Sequence, residues 1–495
     1  MRAQQACYAI VAALLLALAF PKANIAWFAP LGTAALFLAW ESASWKRAFA
    51  LGWFAGLIFF TISFWWWSTT IKQDVGVFAY LAVVAGAALE ALAWGAAGSL
   101  ATLARDRAHP ALAPLAAAMA FTVTEWIRSI GPLGAPFAQL GYTQVETPLR
   151  VLAAYVGAPG VTLVVCTIGA YLASAVARRR WGNFAAAFLT VAVACGIGWW
   201  AWPARALPKP TIPVAAIQGN IAQTLKWEPQ ALPEAIARYT AMTRAAIVQH
   251  PRLIVWPETV IPARDGLNND SALSKSFVRL ARRADATLVV GSLDVRAGQY
   301  YNALFIYGPG GLQAIYDKRQ LVPFAETFPG KSFLFWLPYI GELNGGFSEG
   351  TIPGVYPTLA GLRIAPLICW ESAFGDLAHG QIDRGAQVLV VSTDDAWFGT
   401  SSGPYQHAQI AQMRALEAGS YVVRAAATGI SGIIAPDGTW QARAGLDTQA
   451  EVSGKIGPPV GSAFARIGPN RVVIALAGLY IAIVALSGVL VKRSA

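Results

Sequence analysis

Three residues far apart in the chain could form a chemical set, and each closes or follows a short apolar run. Glu258 lies in LIVWPET, Lys318 in YDKRQLVPFAE and Cys369 in RIAPLICWES. A carboxylate, an ammonium and a thiol suit acyl transfer through a thioester. The carboxylate can take the thiol proton, the lysine favours the thiolate and steadies an oxyanion, and the sulfur attacks. Taken singly, each has a plainer reading: a core thiol, a loop carboxylate and a solvated strand end. Glu326 follows LVPFA and is placed to orient Lys318 or to neutralise it.

Cys369 is the only cysteine in the polar part of the chain. Cys7, Cys166 and Cys195 lie in apolar runs, so Cys369 has no local disulfide partner. The four histidines (His109, His250, His379 and His407) are scattered, and no CxxC pattern occurs. No metal and no cofactor is therefore expected.

The elements that must position this set are short. IPVAAIQ, RLIVWPE, ATLVVGS, YNALFIY, LQAIYDK, RIAPLIC, AQVLVVS, YVVRAAA and SGIIAP read as strands. Segments near 230–248, 270–284, 374–384 and 404–418 read as helices. The alternation predicts layered α/β packing over 211–460. Cys369 then falls where a buried strand turns into a helix, and the backbone N–H groups after it can face an oxyanion.

The rest of the chain has another character. Of 495 residues, 56% are hydrophobic and only 13% charged, with 19 Trp, which favours a membrane protein. Apolar runs fall near 6–21, 24–40, 48–68, 76–104, 111–130, 150–176, 183–202 and 471–491. They predict eight transmembrane helices: seven in a bundle over 1–205, and the eighth with its tail in 468–495. The first is read as a retained helix rather than a signal peptide, because apolar sequence resumes at once. PARALPKP at 203–210 reads as a Pro-rich linker.

The net charge is +11, yet residues 211–460 hold 19 Lys+Arg against 20 Asp+Glu. The excess lies in the membrane parts, so it signals topology and argues against a nucleic-acid partner. Arg2, Lys46, Arg47, Arg105, Arg107, Arg178, Arg179, Arg180, Lys492 and Arg493 fall on one side. Lys22, Lys72, Arg128 and Arg150 fall on the other. Both termini are therefore expected in the cytoplasm and 211–460 outside it. Glu90, deep in an apolar run, is expected to face the bundle interior, for function or for structure. Small residues around it suit close helix packing. Glu125 and Arg128 are placed to pair one turn apart.

Together the three motifs resemble the Glu-Lys-Cys triad of the nitrilase superfamily, over roughly 212–455. With the flanking apolar runs, the chain resembles the apolipoprotein N-acyltransferase family of that superfamily. QGNIAQTLKW at 218–227, EWIRS at 125–129 and STDDAWFG at 392–399 agree. The resemblance implies an αββα sandwich, with Glu258 as general base, Lys318 as transition-state lysine and Cys369 as nucleophile. It implies supporting roles for Trp227, Glu326 and Glu371. Trp370 stands where the family commonly has Tyr, so an aromatic wall remains without the phenol.

The implied reaction is ping-pong. The sn-1 acyl chain of a phospholipid, typically phosphatidylethanolamine, passes to Cys369. It then passes to the α-amine of the diacylglyceryl-cysteine of an apolipoprotein. The implied setting is the bacterial inner membrane with a periplasmic catalytic domain, and a monomer is expected. Residues 328–347, with Phe333, Phe335 and Trp336, read as a lid that dips into the membrane or as a buried loop segment. Two other readings compete: a membrane-tethered amidase or nitrilase using water, and a transporter with an outer ligand-binding domain. The number of spans opposes the first. The scarcity of deep charges opposes the second.

Overall fold

The computed structural model describes residues 2–131, 133–201, 207–222, 226, 228, 230–327 and 346–493. They form two compact units, one of residues 1–206 with 466–495 and one of residues 207–465.

The first unit is helical: α1 (Arg2–Ala19), α2 (Phe28–Trp40), α3 (Trp45–Ser63), α4 (Trp67–Val75), α5 (Phe78–Arg107), α6 (Ala113–Ile127), α7 (Ala153–Arg178) and α8 (Trp181–Ala201). The C-terminal helix of the chain, Pro469–Arg493, completes it. Among the described residues six helices are long and apolar enough to cross a membrane. Helices α2 and α6, with 13 and 15 residues, fall short of the ~20 needed. Small residues let α3 and α5 meet closely. A Cβ on Gly52 would lie 2.3 Å from the Trp94 carbonyl oxygen, and one on Gly98 would lie 2.5 Å from that of Ala48.

Glu90 does face the interior, but its partner is Arg128, at 3.1 Å, with both side chains buried. Arg128 also donates to the carbonyls of Ala135 and Phe137. Glu125 instead accepts from the Leu140 amide and the Thr162 hydroxyl. The expected hydrogen-bonded pair within one turn is thus replaced by a bond between helices. Arg128 turns toward a buried carboxylate whose desolvation would otherwise be uncompensated.

The second unit holds two six-stranded sheets, ordered β12-β1-β2-β3-β4-β5 and β11-β10-β9-β8-β7-β6. The first has β1 (Ile212–Gln218), β2 (Leu253–Val255), β3 (Thr287–Arg296), β4 (Gln299–Gly308), β5 (Gly311–Asp317) and β12 (Ala450–Ile456). The second has β6 (Tyr356–Pro357), β7 (Arg363–Ile368), β8 (Val388–Thr393), β9 (Tyr421–Ala426), β10 (Gly432–Ile434) and β11 (Trp440–Arg443). Strands β1-β2-β3 and β7-β8-β9 run parallel, and the outer pairs are antiparallel.

Alternation explains the layering. Val214 and Ala216 of β1 join Val388 and Val390 of β8 in a core between the sheets. Ala215 and Ile217 face away from that core and pack with α9 (Ala231–Ala246) and α10 (Ser271–Ala284). Leu389 and Val391 pack with α11 (Gly375–Asp383) and α12 (Gly403–Ala418). Both faces of each central strand are buried, so these strands read as near-continuous apolar runs. The result is a helix–sheet–sheet–helix sandwich.

Candidate active site

Each key side chain follows the carboxyl end of a strand, where open α/β sheets gather ligands. Glu258 follows β2, Lys318 follows β5, Cys369 follows β7, and Asp394 follows β8. The sheets are tied at this end by the Ser392 hydroxyl, which donates to the Trp256 carbonyl at 2.9 Å.

Lys318 Nζ lies 3.0 Å from Glu258 Oε1 and 2.9 Å from Glu326 Oε1. Asn302 donates its amide to the same two carboxylates, at 2.7 and 2.9 Å. The second oxygen of Glu258 accepts from the Asp394 backbone amide at 2.8 Å, and that of Glu326 accepts from Val322 at 2.8 Å. Both carboxylates are therefore fixed by donors on each oxygen.

Backbone geometry shows how tightly this loop is set. Thr259, next to Glu258, has φ +48°, which is unusual for a β-branched residue. Gly291 on β3 makes room for it. A Cβ there would sit 2.0 Å from the Pro257 carbonyl oxygen and 2.8 Å from the Glu258 Cα.

Cys369 also has positive φ, +48°, and begins a short 3-10 turn through Ala373. Such strained positions persist where surroundings over-determine them. Glu371 supplies one restraint. Its carboxylate accepts from the backbone amides of Ile368 at 2.7 Å and Arg319 at 2.7 Å, and from the Tyr316 hydroxyl at 3.0 Å. It thus joins the Cys369 turn to the Lys318 segment.

The electrostatics follow from burial and proximity. Burial alone would raise the Glu258 carboxyl, but the charges of Lys318 and Lys226 and hydrogen bonds from Lys318 and Asn302 hold it below the usual carboxylate range. Burial opposes charge on Lys318, yet Glu258, Glu326 and Cys369 push it well above the usual lysine range. Burial and then Glu258 push the Cys369 thiol well up, against Lys318. The thiol is thus held neutral in the field of an ionised carboxylate and an ammonium.

The structure brings Glu258, Lys318, Cys369, Glu326 and Glu371 into one electrostatic cluster. Trp370 is buried beside them and meets the Phe374 ring edge-on at 6.1 Å. Trp227, Phe333, Phe335 and Trp336 lie outside the described residues. Sequence reading missed Asn302, Gly291, Lys226 (paired with Asp394 at 2.5 Å) and His407. Asn302 looks like any polar residue in a strand, and His407 looks like any polar residue among the glutamines of its helix. The acidic pair in STDDAWFG was the one available signal.

Residues 213–457 match the family model described as carbon-nitrogen hydrolase, and residues 12–171 match that of the apolipoprotein N-acyltransferase N-terminal domain. The first match makes the second unit a carbon-nitrogen hydrolase domain. Nit3 of Saccharomyces cerevisiae, a solved structure described as a member of branch 10 of the nitrilase superfamily, is 20% identical with a TM-score of 0.41, covering 50% of this chain and 91% of its own. Apolipoprotein N-acyltransferase of Photobacterium profundum is 32% identical over 86% of this chain and 84% of its own. That of Methylococcus capsulatus is 34% identical over 92% and 90%. The chain belongs to the apolipoprotein N-acyltransferase family.

Proposed function

We propose that this enzyme N-acylates lipoproteins through a thioester on Cys369. Glu258 takes the Cys369 proton as the sulfur attacks the sn-1 ester carbonyl of a phospholipid. Lys318 and a backbone N–H hold the oxyanion. The C–O bond breaks, the leaving alkoxide recovers the proton from Glu258, and a lysophospholipid departs. The α-amine of a diacylglyceryl-cysteine then attacks the thioester. Its proton passes through Glu258 to the departing sulfur, giving an amide and the free thiol.

The observation that carries this reading is the buried Lys318 ammonium shared between Glu258 and Glu326, with Cys369 in the same field. Phosphatidylethanolamine is the donor expected in the inner membrane, and the enzyme acts as a monomer. Eight spans would place 211–460 in the periplasm with both termini cytoplasmic. Burial of Arg128 supports this, because it removes one of the four charges that oppose the ten on the cytoplasmic side. Membrane attachment suits the chemistry. Extracting an acyl chain into water costs about 0.8 kcal/mol per CH₂.

Purified protein given phosphatidylethanolamine and a diacylated lipopeptide should yield triacylated lipopeptide and lysophospholipid in equal amounts. Free fatty acid in place of the triacylated product would favour the hydrolase reading. Transfer by a Cys369→Ala variant would reject the mechanism.

A further inference from the structure

Behind Cys369 lies a second buried assembly that the reaction above does not use. Asp395 is its hub. One oxygen accepts from the Thr393 hydroxyl at 2.9 Å and faces His407 Nδ1 at 2.8 Å, and the other accepts from Arg424 at 2.6 Å. The side chains of Asp395, His407 and Arg424 are fully buried. Asp395 is ionised and can only accept, so His407 carries a proton on Nδ1. The opposite ring nitrogen, Nε2, lies 2.7 Å from the Ser372 hydroxyl and 3.1 Å from the Cys369 carbonyl oxygen. Burial and the charge of Arg424 keep the His407 ring neutral, so Nε2 is an acceptor and the single Ser372 hydrogen is shared between Nε2 and that carbonyl, 2.8 Å away. The Thr393 hydroxyl in turn is hydrogen-bonded to the Cys369 side chain. One aspartate therefore reaches both ends of Cys369, the thiol through Thr393 and the carbonyl through His407 and Ser372.

A serine, histidine and aspartate in a row resemble a nucleophile relay, but Ser372 is fully buried and faces a backbone carbonyl. What the row can do is fix a peptide plane. The peptide is planar and trans, so a carbonyl anchored on one side turns the following N–H to the other. Here that N–H belongs to Trp370. The anchor also holds the positive φ of Cys369, a conformation that costs energy and must be held by its neighbours.

We propose that Ser372, His407 and Asp395 are positioning residues for the oxyanion site: they lock the Cys369–Trp370 peptide so that the Trp370 N–H, with Lys318, receives the oxyanion. This rests on the acyltransferase reading. It predicts that both half-reactions depend on the assembly, because each passes through a tetrahedral oxyanion at the same carbon.

The test compares Ser372→Ala, His407→Leu and His407→Gln in the full-length protein. Thioester formation from phosphatidylethanolamine and transfer to a lipopeptide are timed separately. Alkylation of Cys369 by iodoacetamide, read on its peptide by mass spectrometry, is the control, since that displacement develops no oxyanion. In His407→Leu both half-reactions should slow by a common factor of about 10²–10³, comparable to losing one oxyanion donor. In Ser372→Ala the same pattern should appear at roughly tenfold, and alkylation should stay within twofold of wild type. His407→Gln, which can set an amide oxygen near the Nε2 position to accept from Ser372, should recover most of the rate. If His407→Leu does not fold, Ser372→Ala decides, since it leaves the His407–Asp395–Arg424 chain intact. Alkylation falling in step with acylation, or acylation unchanged in the variants, would overturn the proposal. A wild-type protein that forms no thioester would instead overturn the functional reading beneath it.

Discussion

Glu371 and Arg319 are 52 residues apart in the chain, yet the Glu371 carboxylate accepts the Arg319 backbone amide at 2.7 Å. The segment carrying the lysine is thereby fastened to the turn carrying the thiol. Glu371→Gln would present an N–H₂ group to amide donors that need an acceptor. Stability should fall by roughly 2–3 kcal/mol, the usual range for a buried charge-assisted bond, and thioester formation should fall with it. Denaturant unfolding and single-turnover acylation measure the two. Lost activity at unchanged stability would mean that Glu371 acts on the substrate instead.

Asn302 donates to Glu258 and Glu326 together. Asn302→Asp would set a third carboxylate between them and force one to hold a proton. Acylation at pH 7 should therefore suffer more in Asn302→Asp than in Asn302→Ala. Equal losses would show that only the donated hydrogen bonds matter.

Gly291 should tolerate no side chain. Its would-be Cβ meets backbone atoms of residues 257–259, which have no flexible end to move aside. Gly291→Ala is expected to cost about 1–3 kcal/mol by overpacking and to displace Glu258, lowering the acylation rate well over tenfold. A thermal melt and the acylation rate check this, and wild-type rates would contradict it.

The pH profile follows from Glu258. Its carboxyl titrates below the ordinary 4.5 in the folded protein, so it stays ionised through that pH and loses its capacity as a base only further down. The acid limb of thioester formation should have its midpoint below 4.5, and a midpoint near 6–7 would assign the limb to another group. Asp395 also keeps the fold intact over this range. Burial opposes its charge, but Arg424 and His407 hold it at about 2 against an ordinary 3.8. Its share of stability is complete above 3.8 and disappears as pH falls through about 2.

The nitrilase-like sandwich was legible because parallel strands buried on both faces must be apolar throughout, and IPVAAIQ, ATLVVGS and AQVLVVS are. Strand β12 was not legible: AEVSGKI is an edge strand with polar residues on its open side. Glu258, Lys318 and Cys369 were readable because each interrupts or ends an apolar run. Asn302, Gly291 and His407 were not, since their roles arise only when distant strands and a helix meet. The Glu90–Arg128 pair was missed for the same reason, as sequence spacing shows a neighbour in one helix but not across two. Eight apolar runs were visible, while the 13 and 15 residues of α2 and α6 emerged only with the caps and breaks of the folded chain.

The most direct measurement is the mass of the Cys369 peptide after the purified enzyme meets phosphatidylethanolamine with no acceptor present. Cys369 should gain one fatty acyl group, removed by hydroxylamine and discharged by a diacylated lipopeptide, and absent from Glu258→Gln. An unmodified Cys369 in enzyme that still acylates lipopeptide would contradict this.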